Sequence, residues 1–168
     1  MVKVLITGGA GYLGSTLAEE LLNKGYEVTA LDNLMYKQTS LLHLCSNKNF
    51  NFIQQDVTDL DLLKETIMDY DVIIPLAAIV GAPACDADKD LATRVNFEQI
   101  QTIVDNLRDN QKLIMPNTNS QYGSSTEIIT EDSPFNPLSH YAKTKCDAED
   151  VILESDNGIC LRLATVFG

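Results

Sequence analysis

The sequence predicts an α/β fold, a doubly wound parallel sheet, on three observations. Short apolar, β-branched runs alternate with stretches of helical period along the whole chain. The first run, Val2 to Thr7, passes into the glycines Gly8, Gly9, Gly11 and Gly14 and then into a helical pattern. The fourth run, Asp71 to Ala78, is apolar toward both faces, as a central parallel strand between two helical layers must be.

In the opening unit, Leu13, Leu17 and Leu21 mark a helix that ends near Asn23–Lys24–Gly25, with Gly25 as its cap. Two glycine rhythms fit the turn: Gly9-x-Gly11-x-x-Gly14 and Gly8-x-x-Gly11-x-x-Gly14. Either one brings free N–H groups and the positive end of a helix dipole to the place where a diphosphate is held. No Gly-Lys-Ser/Thr follows, which excludes a P-loop. An ordinary strand–helix turn would use the same glycines, so the second strand decides. That strand, Glu27 to Leu31, stops at Asp32, roughly 20 positions past the turn, where a carboxylate accepts from the adenosine ribose hydroxyls and repels a 2′-phosphate. NAD is therefore expected rather than NADP.

The residues from Met35 to Asn49 read as a loop with a short helix, and Phe50 to Gln54 as the third strand. Asp56 follows at a strand's carboxyl end, where ligands of open α/β sheets collect. A helix with Leu60, Leu63 and Ile67 inward begins with Thr58 as N-cap. After the fourth strand, Ala77 and Ala78 either admit a flat ring or a diphosphate or permit close helix packing. Pro83 precedes a long helical region, Asp86 to Asn110, in which Asn96 is a polar residue suited to bridge helix and sheet. The fifth strand, Lys112 to Met115, runs into the hydroxyl- and amide-rich stretch Pro116 to Gly123, which marks a site. Asn136 and Pro137 read as N-cap and first residue of a helix carrying Tyr141 and Lys145, four apart and so on one face. The last strand is Ile159 to Thr165.

With 168 residues the chain has room for one well-packed domain. Twelve basic against twenty-four acidic residues leave a net charge of −12, which argues against nucleic acid and anionic membrane as partners. No apolar run reaches membrane-spanning length. Cys45, Cys85, Cys146 and Cys160 are widely spaced and form no metal-ligand pattern, which suits reduced thiols in a cytoplasmic protein; no metal is expected.

Tyrosine is a poor base at its ordinary pKa of about 10. An ammonium one helical turn away, beside a nicotinamide cation, favours the phenolate, and the Thr118 hydroxyl can bind the same substrate oxygen. Such a set can take a proton from an alcohol while its carbon gives up hydride.

Together these pieces resemble the extended short-chain dehydrogenase/reductase family, within it the NAD-dependent nucleotide-sugar epimerases and dehydratases. The matching stretches are Thr7 to Gly14, Asp32-Asn33, Asp56-Val57, Leu76-Ala77-Ala78, Asn96, Thr118 to Gly123, Tyr141 to Lys145 and Leu161-Arg162-Leu163. The resemblance implies that Gly8, Gly11 and Gly14 surround the NAD pyrophosphate, with Tyr12 and Leu13 giving backbone N–H groups. It implies that Asp32 and Asn33 hold the ribose, that Asp56 and Val57 hold the adenine, and that Leu76, Ala77 and Ala78 line the cofactor site. Tyr141 is then the acid/base, Thr118 its partner hydroxyl, and Lys145 the residue that binds the nicotinamide ribose and depresses the Tyr141 pKa.

Three departures bear on substrate. Asn119 and Ser120 stand where 4,6-dehydratases of the family carry Asp-Glu, which disfavours dehydration. Pro75 replaces a frequent histidine, and Thr165 stands where many relatives have a sugar-contacting asparagine. Relatives also continue past the sixth strand into a region that closes over the sugar. The resemblance thus implies that residues 1–168 are an NAD-binding Rossmann domain, the cofactor-binding part only, with apolar surface exposed at the sheet end. The activity implied is epimerisation of a nucleotide sugar at C4 through a keto intermediate, by a homodimer paired through helices. The alternatives are a nucleotide-linked keto-sugar reductase and a non-catalytic dinucleotide sensor or scaffold.

Overall fold

The computed structural model describes residues 1–126 and 128–166. Six parallel strands lie in the order β3-β2-β1-β4-β5-β6: β1 Lys3–Thr7, β2 Glu27–Asp32, β3 Phe50–Gln54, β4 Val72–Pro75, β5 Lys112–Thr118 and β6 Gly158–Leu163. The order reverses between β1 and β4, and a crevice opens there at the strands' carboxyl ends. The helices are α1 Tyr12–Asn23, α2 Leu60–Ile67, α3 Ala82–Ala87, α4 Lys89–Thr93, α5 Gln99–Asp105 and α6 His140–Leu153.

Strand alternation divides the core in two. Val4, Ile6, Val28, Ala30 and Ile74 face α1, while Leu5, Leu31, Ile73, Leu113 and Met115 face α2, α5 and α6. The expected two-sided burial of the fourth strand is met by Ile73 and Ile74. In α1 the buried row is Gly14, Ala18 and Leu22, one residue along from the expected leucines; the small residues let the helix lie close to the sheet, and Leu17 and Leu21 flank them. Gly25, at φ +86, closes α1 as expected: its N–H bonds Leu22 O and the Tyr26 N–H bonds Leu21 O.

Several boundaries differ from expectation. Asp59, not Thr58, caps α2, because the Thr58 hydroxyl instead donates to Asp56 Oδ1 at 2.7 Å. The region Asp86–Asn110 is not one helix: Asp88 breaks it and caps α4 through the Leu91 N–H, and Arg94–Glu98 form a π-helical turn before α5. β4 ends at Pro75, its last partner on β1 being Thr7, so Leu76, Ala77 and Ala78 lie outside the sheet. β5 runs on past Met115 to Thr118; Pro116 is accommodated because pairing to β4 has ended at Leu113 and only β6 continues alongside. α6 begins at His140 with Ser139 as its cap, while the Asn136 N–H is occupied by Gln121 O. β6 stops at Leu163, short of Thr165.

The face of the sheet that α1 covers over β1 and β2 is uncovered at β6, where Ile159 and Leu161 are each 47% exposed. Apolar surface at the sheet end was expected, and this is where it lies. Among the described residues no helix is long and apolar enough to cross a membrane, and no cluster of three or more His, Cys, Asp or Glu could hold a metal ion.

Candidate active site

A cavity of about 670 Å³ opens at the carboxyl ends of the strands, spanning the switch between β1 and β4. The residues expected to bind cofactor or move a proton line it: Gly8, Gly11, Tyr12, Leu13, Gly14, Asp32, Asn33, Asp56, Val57, Leu76, Ala77, Ala78, Thr118, Tyr141 and Lys145.

The glycine turn is built by close contacts. Gly8 has φ +67, and a Cβ on it would lie 2.6 Å from the Ala77 N. A Cβ on Gly14 would lie 2.5 Å from Gly8 O, so neither position accepts a side chain. Gly9 is turned away from the cavity, against Ala30, which selects the rhythm Gly8-x-x-Gly11-x-x-Gly14 as the one that lines it. Gly11 meets only Gly8 O, at 3.1 Å, and leaves open space at the N-terminus of α1. That first turn carries no acidic residue and no side-chain cap, so its N–H groups and dipole are directed at the cavity uncompensated. Ala77 lines the cavity, and its carbonyl takes a 2.7 Å hydrogen bond from Gln99 Nε2.

The acidic end of the cavity is prearranged. Asp32 is buried, with Oδ2 accepting the Ala10 N–H at 3.0 Å and Oδ1 accepting the Leu34 N–H at 2.8 Å. Asn33 Nδ2 donates to Asp56 Oδ2 at 2.9 Å, joining the ends of β2 and β3. Burial works against the Asp56 carboxylate, but the hydrogen bonds from Asn33 and Thr58 prevail and hold its pKa below the usual value.

At the other end, β5 and α6 bring Thr118, Tyr141 and Lys145 together. The Thr118 hydroxyl donates to Ser120 Oγ at 3.1 Å and lies close enough to the Tyr141 phenol to lower its pKa. Here the structure corrects an expectation: the phenol pKa is pushed up, by burial first and by Cys85 in addition, with only the Thr118 hydrogen bond lowering it. No downward pull from Lys145 is found, because burial drives the lysine's own pKa down to about 8. Lys145 is 6% exposed, and among the described residues its ammonium has no carboxylate within ion-pair distance. A buried cation without an anion costs free energy, and such groups concentrate at functional sites.

Asn96 bridges the π-helical turn to the segment after β4 rather than to the sheet itself: its Oδ1 accepts the Ile79 N–H at 2.8 Å and its Nδ2 donates to Ile79 O at 3.0 Å. Sequence reasoning missed Glu149, while Asn117 belongs to the stretch Pro116 to Gly123 that it marked as a site without giving the residue a role. Asn117 lines the cavity, its Nδ2 donating to Glu149 Oε2 at 2.6 Å and to Lys145 O at 3.2 Å.

A parallel sheet in this order and a glycine turn under a helix N-terminus define a dinucleotide-binding α/β fold, and Thr118, Tyr141 and Lys145 line the same cavity. The chain matches the NAD dependent epimerase/dehydratase family over residues 4–168, and it belongs to that family. It is 31% identical over 182 residues to an uncharacterised UDP-glucose epimerase, YtcB, of Bacillus subtilis, covering 99% of this chain and 57% of the relative. It is 35% identical over 131 residues to the UDP-N-acetyl-alpha-D-glucosaminuronate decarboxylase of Bacillus cytotoxicus, covering 77% of this chain and 40% of the relative. Among solved structures, UDP-glucuronic acid 4-epimerase from Bacillus cereus, in complex with UDP-glucuronic acid and NAD, superposes with a TM-score of 0.88 at 31% identity. That match covers 99% of this chain and 58% of the other. The chain thus spans about half the length of the relatives it matches.

Proposed function

We propose that residues 1–168 form the NAD-binding domain of a nucleotide-sugar epimerase acting at C4 through a keto intermediate. The observation that carries this reading is Lys145, buried and without a carboxylate partner among the described residues, lining with Tyr141 and Thr118 the cavity that begins at the glycine turn. The residues present suit NAD. Gly11 leaves a cradle that a Cβ would fill, the first turn of α1 offers N–H groups from Leu13 and Gly14, and Asp32 and Asn33 stand at the end of β2 for the ribose hydroxyls. Asp56 and Val57 would hold the adenine, and Lys145 the second ribose.

When bound, NAD supplies a reversible acceptor and donor of hydride. Tyr141 takes the proton from the sugar hydroxyl as the carbonyl forms and returns it when the carbonyl is reduced. Thr118, already in reach of the phenol, holds the same oxygen. Because burial raises the phenol, a full positive charge close by is needed for it to act as a base near neutrality, and a bound nicotinamide cation would supply one. Asn119 and Ser120 lack an acid for loss of water, which supports epimerisation over dehydration. The substrate is a nucleotide sugar. Pairing of two copies and a cytoplasmic location complete the proposal.

The experiment mixes purified protein with UDP-sugars and NAD and follows both sugar configuration by NMR and absorbance at the reduced-nicotinamide band. Epimerisation without steady change in absorbance is expected, with Tyr141→Phe abolishing it but still binding NAD. Steady consumption of reduced cofactor assigns a reductase. NAD binding with no turnover in the full-length protein, unaltered by Tyr141→Phe, assigns a sensor.

A further inference from the structure

We infer that Glu149 is a positioning residue for this site: through Asn117 it locks the register of α6 against β5, and so sets where Lys145 and Thr118 stand. The inference rests on the reading of Lys145 given above and extends it to groups that touch neither cofactor nor sugar.

Glu149 follows Lys145 by one helical turn and is 1% exposed. Its two carboxylate oxygens are divided between two strands. Oε2 accepts from Asn117 Nδ2 of β5 at 2.6 Å, and Oε1 accepts from Arg162 Nε of β6 at 2.7 Å. Asn117 spends its remaining capacity at the site, donating to Lys145 O at 3.2 Å and accepting the Thr118 N–H on Oδ1 at 2.9 Å. Gln121 adds a second donor to Lys145 O at 3.3 Å. Arg162 is fixed in turn: its second guanidinium nitrogen donates to the Tyr122 hydroxyl and the Glu131 carbonyl, each at 2.7 Å, and its plane lies over Phe135 at 4.7 Å.

A buried ion pair of this kind is a poor source of stability, because desolvation cancels most of the attraction; its best-attested use is to fix one geometry. What it fixes here is specific. A slide of α6 along β5 would break the bonds from Asn117 to Glu149 and Lys145, and would part Thr118 from Tyr141. Apolar packing alone, with Ala148 and Ile152 against the sheet, tolerates such slides far better than directed hydrogen bonds do.

The test uses the 168-residue chain labelled at lysine Cε with ¹³C and titrated by NMR without any dinucleotide. The titratable groups facing the Lys145 ammonium are Cys160 of β6 and Cys85 of α3, with Tyr141 one turn earlier on α6. Glu149 acts on Cys160, and loss of its negative charge would by itself lower the Lys145 midpoint, so a rise reports a change of position rather than of charge. Two variants are compared with wild type: Glu149→Gln, and the pair Glu149→Met with Arg162→Met, which removes both charges at once and so leaves neither one buried without its partner. The expected result is a Lys145 midpoint rising by a unit or more toward its ordinary ~10.4 as the ammonium gains water. NAD affinity is expected to fall roughly tenfold, with the double variant melting within a few degrees of wild type. A Lys145 midpoint unmoved in both variants overturns the inference, whatever happens to melting, and assigns the network to folding alone. Should wild type fail to bind NAD, the cofactor reading falls, while the titration still decides whether Glu149 positions Lys145.

Discussion

The Asp32 carboxylate holds the glycine turn by its own hydrogen bond, Oδ2 accepting the Ala10 N–H at 3.0 Å. The residue proposed to meet the ribose therefore also shapes the diphosphate end of the site. Oδ1 takes the Leu34 N–H at 2.8 Å, so Asp32→Asn replaces one acceptor with a donor and leaves one N–H unsatisfied. The expected cost is about 1–3 kcal/mol, seen as a fall in melting temperature of several degrees. Calorimetric titration with NAD and NADP should show weaker NAD binding and loss of the preference between them.

The glycines separate folding from binding. Gly14→Ala forces a Cβ to within 2.5 Å of Gly8 O, backbone against backbone, and should destabilise the chain by about 2–4 kcal/mol. Gly11→Ala sits at φ −72, where alanine is comfortable, and meets only Gly8 O at 3.1 Å. Its methyl instead takes up space at the helix N-terminus. Denaturant unfolding should find Gly11→Ala close to wild type and Gly14→Ala well below it, while NAD binding is weakened by both.

Lys145 should be a liability to stability. Burial lowers its pKa to about 8, against roughly 10.4 unfolded, so the unfolded chain binds the extra proton more readily between those values. Its contribution to stability therefore rises with pH through that window and is a penalty below it. Lys145→Met, of similar length and uncharged, should melt higher than wild type at pH 7, by about 1–3 kcal/mol, and the difference should shrink as pH passes 8 toward 10. The same variant should bind NAD more weakly. Melting curves across pH, paired with calorimetry, check both halves.

The parallel α/β sheet and much of the cavity lining were readable in advance because both come from local signals: apolar runs separated by helical period, and glycines and carboxylates at the carboxyl ends of strands. The break at Asp88 was not, since an aspartate inside a helical period looks like a solvated face until its side chain caps the next turn. Nor were the bonds that join Asn117, Glu149 and Arg162, which exist only once α6, β5 and β6 are packed together. The direction of the Tyr141 shift was misjudged for a related reason: charge spacing is visible in a sequence, but the depth of burial that outweighs it is not.

The central claim, that a phenol and an unpaired ammonium face the nicotinamide end of a dinucleotide whose diphosphate rests on α1, is tested most directly by a crystal structure of the chain with NAD. The account predicts the diphosphate at Gly11, Tyr12 and Leu13 and the nicotinamide ribose against Lys145. Density for NAD elsewhere, or a nicotinamide ring turned away from Tyr141, would contradict it.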